Sequence, residues 1–192
     1  LLNGRDITLI GPEERRRLGM AFIPEERIGH ATVPDLRLSE NFLLTDYINP
    51  NAKFAEVIDY KYSERKSDEI IKTFDVRIPH HNPMASSLSG GNLQKFIVGR
   101  EISRTPSILI ASQPTWGVDV GAALEIRTQI IKLAEKGAAV IIISQDLEEI
   151  FIMSEKISVI HLGNISKPIL KNKVTIDEIG LLMGGIRLEK KK

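Results

Sequence analysis

Residues 107–111 read SILIA, and residues 138–144 read AAVIIIS. Both runs are short and apolar, and the second is rich in β-branched residues, the pattern of strands buried inside a parallel sheet. Between them, Leu124, Ile126, Ile130, Ile131 and Leu133 fall at helical spacing from Gly121 to Lys136, and Gly137 stands at the C-terminal stop. A strand, a helix and a strand joined by short connections predict an α/β fold with a mostly parallel sheet covered by helices.

The same reading extends in both directions. Downstream, Asp146 caps a helix that runs to Ser154, Ile157 to Leu162 form a strand, and Gly163-Asn164 signals a two-residue hairpin turn. Thr175 and Glu178 form a capping box for a last short helix that Gly184-Gly185 ends. Upstream, Leu1 to Gly4 read as a strand end running into a turn. Pro12, Glu13 and Glu14 then open a short helix that Leu18-Gly19 stops, and Met20 to Ile23 form a brief strand. Glu25 to Asn41 is polar and loop-like. Helices are expected over Ser39–Tyr47, Ser63–Phe74 and about Ser89–Ser103, with Val76 to Ser87 a surface loop. This helical block interrupts the strand–helix alternation and is expected to form a separate lobe inserted into the sheet domain.

Composition narrows the function classes. The chain has 192 residues, 42% hydrophobic and 27% charged, so it is neither disordered nor collagen-like. A net charge of +1 argues against a whole-protein electrostatic grip on nucleic acid. With no cysteine, disulfides, cysteine-ligated zinc and iron–sulfur clusters are excluded. No apolar run approaches the roughly 20 residues of a membrane-spanning helix, and no secretory signal pattern opens the chain; a soluble, intracellular protein is the expectation. His30, His80, His81 and His161 show no metal-ligand spacing, and the Arg15-Arg16-Arg17 and Lys190-Lys191-Lys192 runs read as solvated surface.

The segment with the most chemical content is Leu88-Ser89-Gly90-Gly91-Asn92-Leu93-Gln94-Lys95. Two glycines before a helix leave backbone N–H groups free of side-chain bulk, and a helix N-terminus carries about half a positive charge. Together they suit an anion, and Ser89 can add a hydroxyl donor. Ser-Gly-Gly by itself reads rather as a turn that caps a helix, and only the whole octet favours the anion site.

The octet closely resembles the signature motif of ATP-binding cassette ATPases, in the form carried by simple-sugar and nucleoside importers. The resemblance continues through the chain. Residues 108–115, ILIASQPT, fall where that family has its Walker B strand, and Trp116-Gly117-Val118-Asp119 fall on the D-loop. Ile141 to Asp146 resemble the strand leading to the switch loop. Pro24-Glu25-Glu26-Arg27 with Ser39-Glu40-Asn41 resemble the Q-loop region of the second cassette of tandem importer subunits.

The resemblance implies a P-loop NTPase-like sheet with an inserted helical subdomain, its N-terminal part missing. Residues 1–38 would be the first piece of the sheet core with the Q-loop-like region. Residues 39–103 would be the helical subdomain, 104–165 the rest of the core, and 166–192 a C-terminal helix and basic tail. No Gly-Lys pair occurs anywhere, so the phosphate-binding loop is expected upstream of the chain.

The departures from the family pattern are chemical. The position of the Mg2+-holding Asp is Ser112, that of the water-activating Glu is Gln113, and that of the switch His is Gln145; Glu25 replaces a neutral Gln. The resemblance therefore implies a degenerate ATP site with no intact catalytic residue. It also implies that Ser89, Gly90, Gly91 and Asn92 contact, in trans, the ATP and Mg2+ held mainly by a partner cassette, with Asp119 and Glu25 at the D-loop and Q-loop positions. The implied partners are a second cassette, membrane permease subunits meeting the loop Arg27–Glu40 and, indirectly, a substrate-binding protein. No nucleic acid is implied, and attachment to the cytoplasmic face of the membrane would be peripheral. For Trp116 two readings stand, packing at the cassette interface, which is preferred, and covering the sheet edge. The other readings are a non-catalytic interaction remnant of a cassette, and a soluble cassette protein of DNA repair or translation. The stretch after Asp119 and the PEER segment speak against the last.

Overall fold

The computed structural model describes residues 1–2, 4–54 and 57–186. The basic tail and Asn3 lie outside the described residues. The chain forms two compact units, residues 1–143 and 144–192.

In the first unit, α1 (Pro12–Arg17) starts with Pro at its first turn, acids near its N-terminus and arginines at its end, each suited to the helix dipole. It stops at Gly19, whose φ of +86° is left-handed; a Cβ there would stand 2.6 Å from Ser107 Oγ. That close approach sets a register. Ser107 donates its amide to the Gly19 carbonyl at 2.9 Å. From there β1 (Met20–Ile23) pairs in parallel with the later strand Ile108–Ser112, Met20 opposite Ile108.

Three helices come between those two strands in sequence. The first, α2 (Leu38–Asp46), is followed by the short antiparallel strands β2 (Lys53–Phe54) and β3 (Val57–Ile58). The second, α3 (Tyr60–Thr73), begins three residues before the expected Ser63, because the Asp59 side chain accepts from the amides of Lys61 and Tyr62 at 3.0 and 3.1 Å and so starts the helix there. The third, α4 (Gly90–Ile102), is buried around most of its circumference, with Phe96, Ile97 and Val98 at 0% exposure.

The sheet continues with β4 (Ile108–Ser112), α5 (Val120–Glu135) and β5 (Ala139–Ile143) in the order β1-β4-β5, all parallel. Leu109 and Ala111 are fully buried. β5 is more exposed than its apolar run implies, with Ile141 at 52% and Ile143 at 45%. Among the described residues it has one strand neighbour, β4.

In the second unit, α6 (Leu147–Met153) is capped as expected: the Asp146 carboxylate accepts from the Glu149 amide at 3.1 Å. The stretch expected as one strand, Ile157–Leu162, is split. β6 (Lys156–Ile157) and β7 (Ile160–His161) pair with different partners, and Val159 between them donates its amide to the Ser166 hydroxyl at 2.9 Å. β7 pairs with β8 (Asn164–Ile165) and β6 with β9 (Ile169–Leu170).

The hairpin turn is Leu162-Gly163, one residue earlier than the sequence signal. Asn164 is paired opposite His161, and Leu162 and Gly163 take φ of +46° and +75°, both left-handed, as in a type I′ turn. The unit closes with α7 (Ile176–Met183), whose Thr175–Glu178 capping box is formed. Ile157, Val159, Val174 and Ile179 make its core. Among the described residues no helix is long and apolar enough to cross a membrane.

Candidate functional site

The N-terminus of α4 and the turn after β4 meet in the first unit. Ser89 precedes α4 in extended conformation and places no side-chain cap on the first helical amides. Its hydroxyl oxygen instead accepts from Asn92 Nδ2 at 2.8 Å, while Asn92 Oδ1 accepts from the Arg77 amide at 2.8 Å. Ser89 and Gly90 are exposed, and Gly91 and Asn92 are half-buried. The result is an open Ser-Gly-Gly corner at the head of a buried helix, whose first N–H groups and partial positive charge suit an anionic ligand.

Arg27 and Gln94 hold this corner to the neighbouring turn. Arg27 Nε donates to Gln94 Oε1 at 3.1 Å, and Gln94 Nε2 donates to the Pro114 carbonyl at 2.8 Å. Gln94 is only 1% exposed, so both ends of its amide are satisfied inside the protein. Partial burial of Arg27 lowers the pKa of its guanidinium. Arg27, Glu25, Leu88, Gly90 and Trp116 line a groove of about 300 Å3.

The turn after β4 is tightly built. Gln113 is 8% exposed and left-handed, with φ of +49°. Its amide donates to the Ile143 carbonyl at 2.7 Å, and its carbonyl accepts from the Trp116 amide at 3.1 Å. The Asp119 carboxylate accepts from the Ala122 amide at 2.9 Å, which caps α5 and lowers the pKa of that carboxyl. A Cβ on Gly91 would lie 3.4 Å from Asp119 Oδ2, so Asp119 and the Gly-Gly corner adjoin.

A second groove, about 810 Å3, is lined by Glu25, Ser112, Arg16, Thr45 and Arg100 among others. Ser112 offers a hydroxyl and Gln113 an amide, neutral oxygen donors that hold a hard cation such as Mg2+ more weakly than carboxylates do.

Comparison with known proteins gives a consistent result. The chain is 39% identical over 184 residues to the guanosine import ATP-binding protein NupO of Bacillus subtilis, covering 96% of this chain and 36% of that protein. It is equally similar, 39% over 184 residues with the same coverage, to the nucleoside import ATP-binding protein NupA of Lactococcus lactis. A ribose import ATP-binding protein of Yersinia pestis matches over all of this chain at 32% identity. The chain belongs to the ATP-binding cassette family.

The cassette spans little more than a third of the length of these curated relatives. No family model matches it. Its fold is that of solved cassettes. A nucleotide-free cassette from an ABC transporter superimposes with a TM-score of 0.73 over 96% of this chain and 75% of that one, at 21% identity. A dimeric post-hydrolysis cassette bound to ADP and phosphate gives 0.68 over 84% of this chain and 68% of that one, at 20% identity.

The structure of this cassette brings Glu25, Gly90, Gly91, Ser112, Gln113 and Asp119 together in the first unit, around α4 and the end of β4. Gln145 belongs to the second unit, exposed in the link that enters α6. Trp116 is 66% exposed beside Gly90 and Arg27. Sequence reasoning places Arg27 in the Q-loop-like segment and Gln94 in the octet but does not join the two. They stand 67 positions apart, and no local periodicity or spacing signals such a pair.

Proposed function

We propose that this cassette is part of the ATP-binding subunit of an importer for nucleosides or simple sugars, and that it lends its Ser-Gly-Gly corner to nucleotide held by a second cassette. In this reading Ser89, Gly90, Gly91 and Asn92 face the phosphates in trans, and Asp119 and Glu25 flank that corner at the D-loop and Q-loop positions. Ser112, Gln113 and Gln145 are the remains of a hydrolytic site that no longer works. ATP with Mg2+ is held mainly by the partner. Residues 39–103 act as the helical subdomain between the core pieces 1–38 and 104–165, with 166–192 a C-terminal appendage. Permease subunits dock at the loop Arg27–Glu40, which attaches the subunit peripherally to the cytoplasmic face of the membrane, and a substrate-binding protein delivers the cargo.

The observation that carries this reading is an asymmetry within one unit. The corner at the head of α4 is open and unblocked by any cap, whereas the end of β4 has no acid to bind a cation or take a proton. Phosphoryl transfer depends mostly on positioning and charge stabilisation, so a helix N-terminus aimed across an interface contributes to the reaction even where the chain has no base. The similarity to NupO and NupA supports nucleosides as cargo.

The direct test is ATP hydrolysis by the purified 192-residue chain. The expected result is no turnover above background with or without Mg2+. Robust Mg2+-dependent turnover by this chain alone overturns the degenerate-site reading.

A further inference from the structure

The guanidinium of Arg27 lies between two glycines from different parts of the chain. A Cβ on Gly90 would stand 2.8 Å from Nη1, and one on Gly117 would stand 3.4 Å from Nη2. Gly117 is left-handed, with φ of +60°, so a side chain there is disfavoured twice over. The third nitrogen, Nε, donates to the buried Gln94, which passes the connection on to the Pro114 carbonyl. One planar group thus spans the head of α4 and the turn that follows β4.

We propose that Arg27 is the positioning residue of the Ser-Gly-Gly corner, clamping the N-terminal turn of α4 to the Pro114–Gly117 turn through Gln94. The inference deepens the donated-corner reading above and rests on it. The clamp needs an arginine. A lysine carries its donors on one compact nitrogen and cannot address Gln94 while filling the space between Gly90 and Gly117, whereas the guanidinium is a rigid planar fork. Removing the arginine leaves Gln94 Oε1 buried without its donor, which the protein relieves by letting the first turn of α4 move. The corner then presents its amides in more than one orientation, and positioning at the partner's nucleotide is lost.

The experiment uses the full-length subunit assembled with its partners and compares Arg27→Met, Arg27→Lys, Gln94→Leu and Ser89→Arg. Hydrogen exchange of the peptide covering residues 88–95 reads the clamp directly, and steady-state ATP hydrolysis reads its consequence. For Arg27→Met, exchange at the first α4 amides should quicken about tenfold, because local opening becomes easier. The kcat should fall about tenfold with KM for ATP within about twofold, because the nucleotide is cradled by the partner. Arg27→Lys should restore neither, and Arg27→Met combined with Gln94→Leu should be no worse than the poorer single variant. Should Arg27→Met not assemble, Arg27→Gln carries the same test.

Unchanged exchange in these variants overturns the clamp, and quickened exchange with wild-type kcat overturns its positioning role. If Ser89→Arg also hydrolyses ATP at the wild-type rate, the donated-corner reading is what fails, and exchange still reports separately on the clamp.

Discussion

Arg100, in the last turn of α4, donates through Nη1 to the main-chain carbonyl of Asn41 at 3.1 Å, with the arginine 2% exposed and the asparagine 0%. Asn41 in turn holds the preceding loop. Its Nδ2 donates to the carbonyls of Val33, Leu36 and Arg37, and its Oδ1 accepts the Val33 amide at 2.8 Å. The charge of Arg100 is met by Glu101, which also accepts from Arg16 at 3.0 Å. Burial lowers the pKa of the Arg100 guanidinium, and Glu101 works against that shift. A buried ionic cluster thus joins α1, α2 and α4 at the C-terminal end of α4, opposite the open corner.

Removing one partner from this cluster should be costly. Glu101→Leu leaves Arg100 buried and uncompensated and is expected to lower stability by about 3–5 kcal/mol. Arg100→Met combined with Glu101→Leu should recover much of that loss, because the fully buried charge goes with its partner and only the partly exposed Arg16 is left without Glu101. Urea unfolding of the single and double variants measures the coupling; strictly additive losses would contradict it.

The α3–α4 contact depends on a missing side chain. A Cβ on Gly99 would stand 2.6 Å from Ile70 Cγ2 and 2.7 Å from Phe74 Cδ2. Alanine is otherwise the better helix former, so propensity alone predicts stabilisation. Overpacking wins, and Gly99→Ala should lose about 1–3 kcal/mol. A raised thermal midpoint for this variant would show that α3 and α4 do not pack so closely.

Tyr62 supplies a pH dependence. Its hydroxyl donates to Asp46 Oδ2 at 3.0 Å. Burial first, and then the adjacent Asp46 charge, push the phenol from 10.0 up to about 12. The folded protein keeps this proton where the unfolded chain has lost it. The associated stability is therefore complete below pH 10.0 and drains away as pH rises to about 12. Ultraviolet titration of phenolate should show a late component that Tyr62→Phe removes. Its persistence in that variant would assign the shift elsewhere.

The β7–β8 turn predicts an improvement. Leu162 is 85% exposed and holds φ of +46°, a conformation that costs a non-glycine residue about 1–2 kcal/mol. Asn ahead of Gly suits a type I′ turn, so Leu162→Asn should stabilise the second unit by about 1 kcal/mol. A lower melting midpoint would contradict the turn assignment.

The β4–α5–β5 unit was legible because 107–111 and 138–144 are apolar runs with a helical period between them, and burial imposes that pattern locally. The Asp146 and Thr175 caps were legible because a cap is a contact over three residues. The hairpin was misplaced by one residue because Gly163 satisfies a left-handed position in either register. Pairing of His161 with Asn164 decides the register, and that pairing is not a local property. The open Ser-Gly-Gly corner could be read from its glycines. The Arg27–Gln94 bridge and the Arg16–Glu101–Arg100 cluster could not, since each joins residues far apart in the chain.

The most direct test of the account is ATP turnover by the full-length subunit, assembled with its partners, carrying Ser89→Arg. In the proposed function the bulky cation fills the corner that faces the partner's nucleotide, and loss of one preorganised anion-stabilising contact typically costs about 10²–10³ in kcat. The account predicts a fall of about a hundredfold or more with the fold and assembly intact. Turnover at the wild-type rate would contradict it.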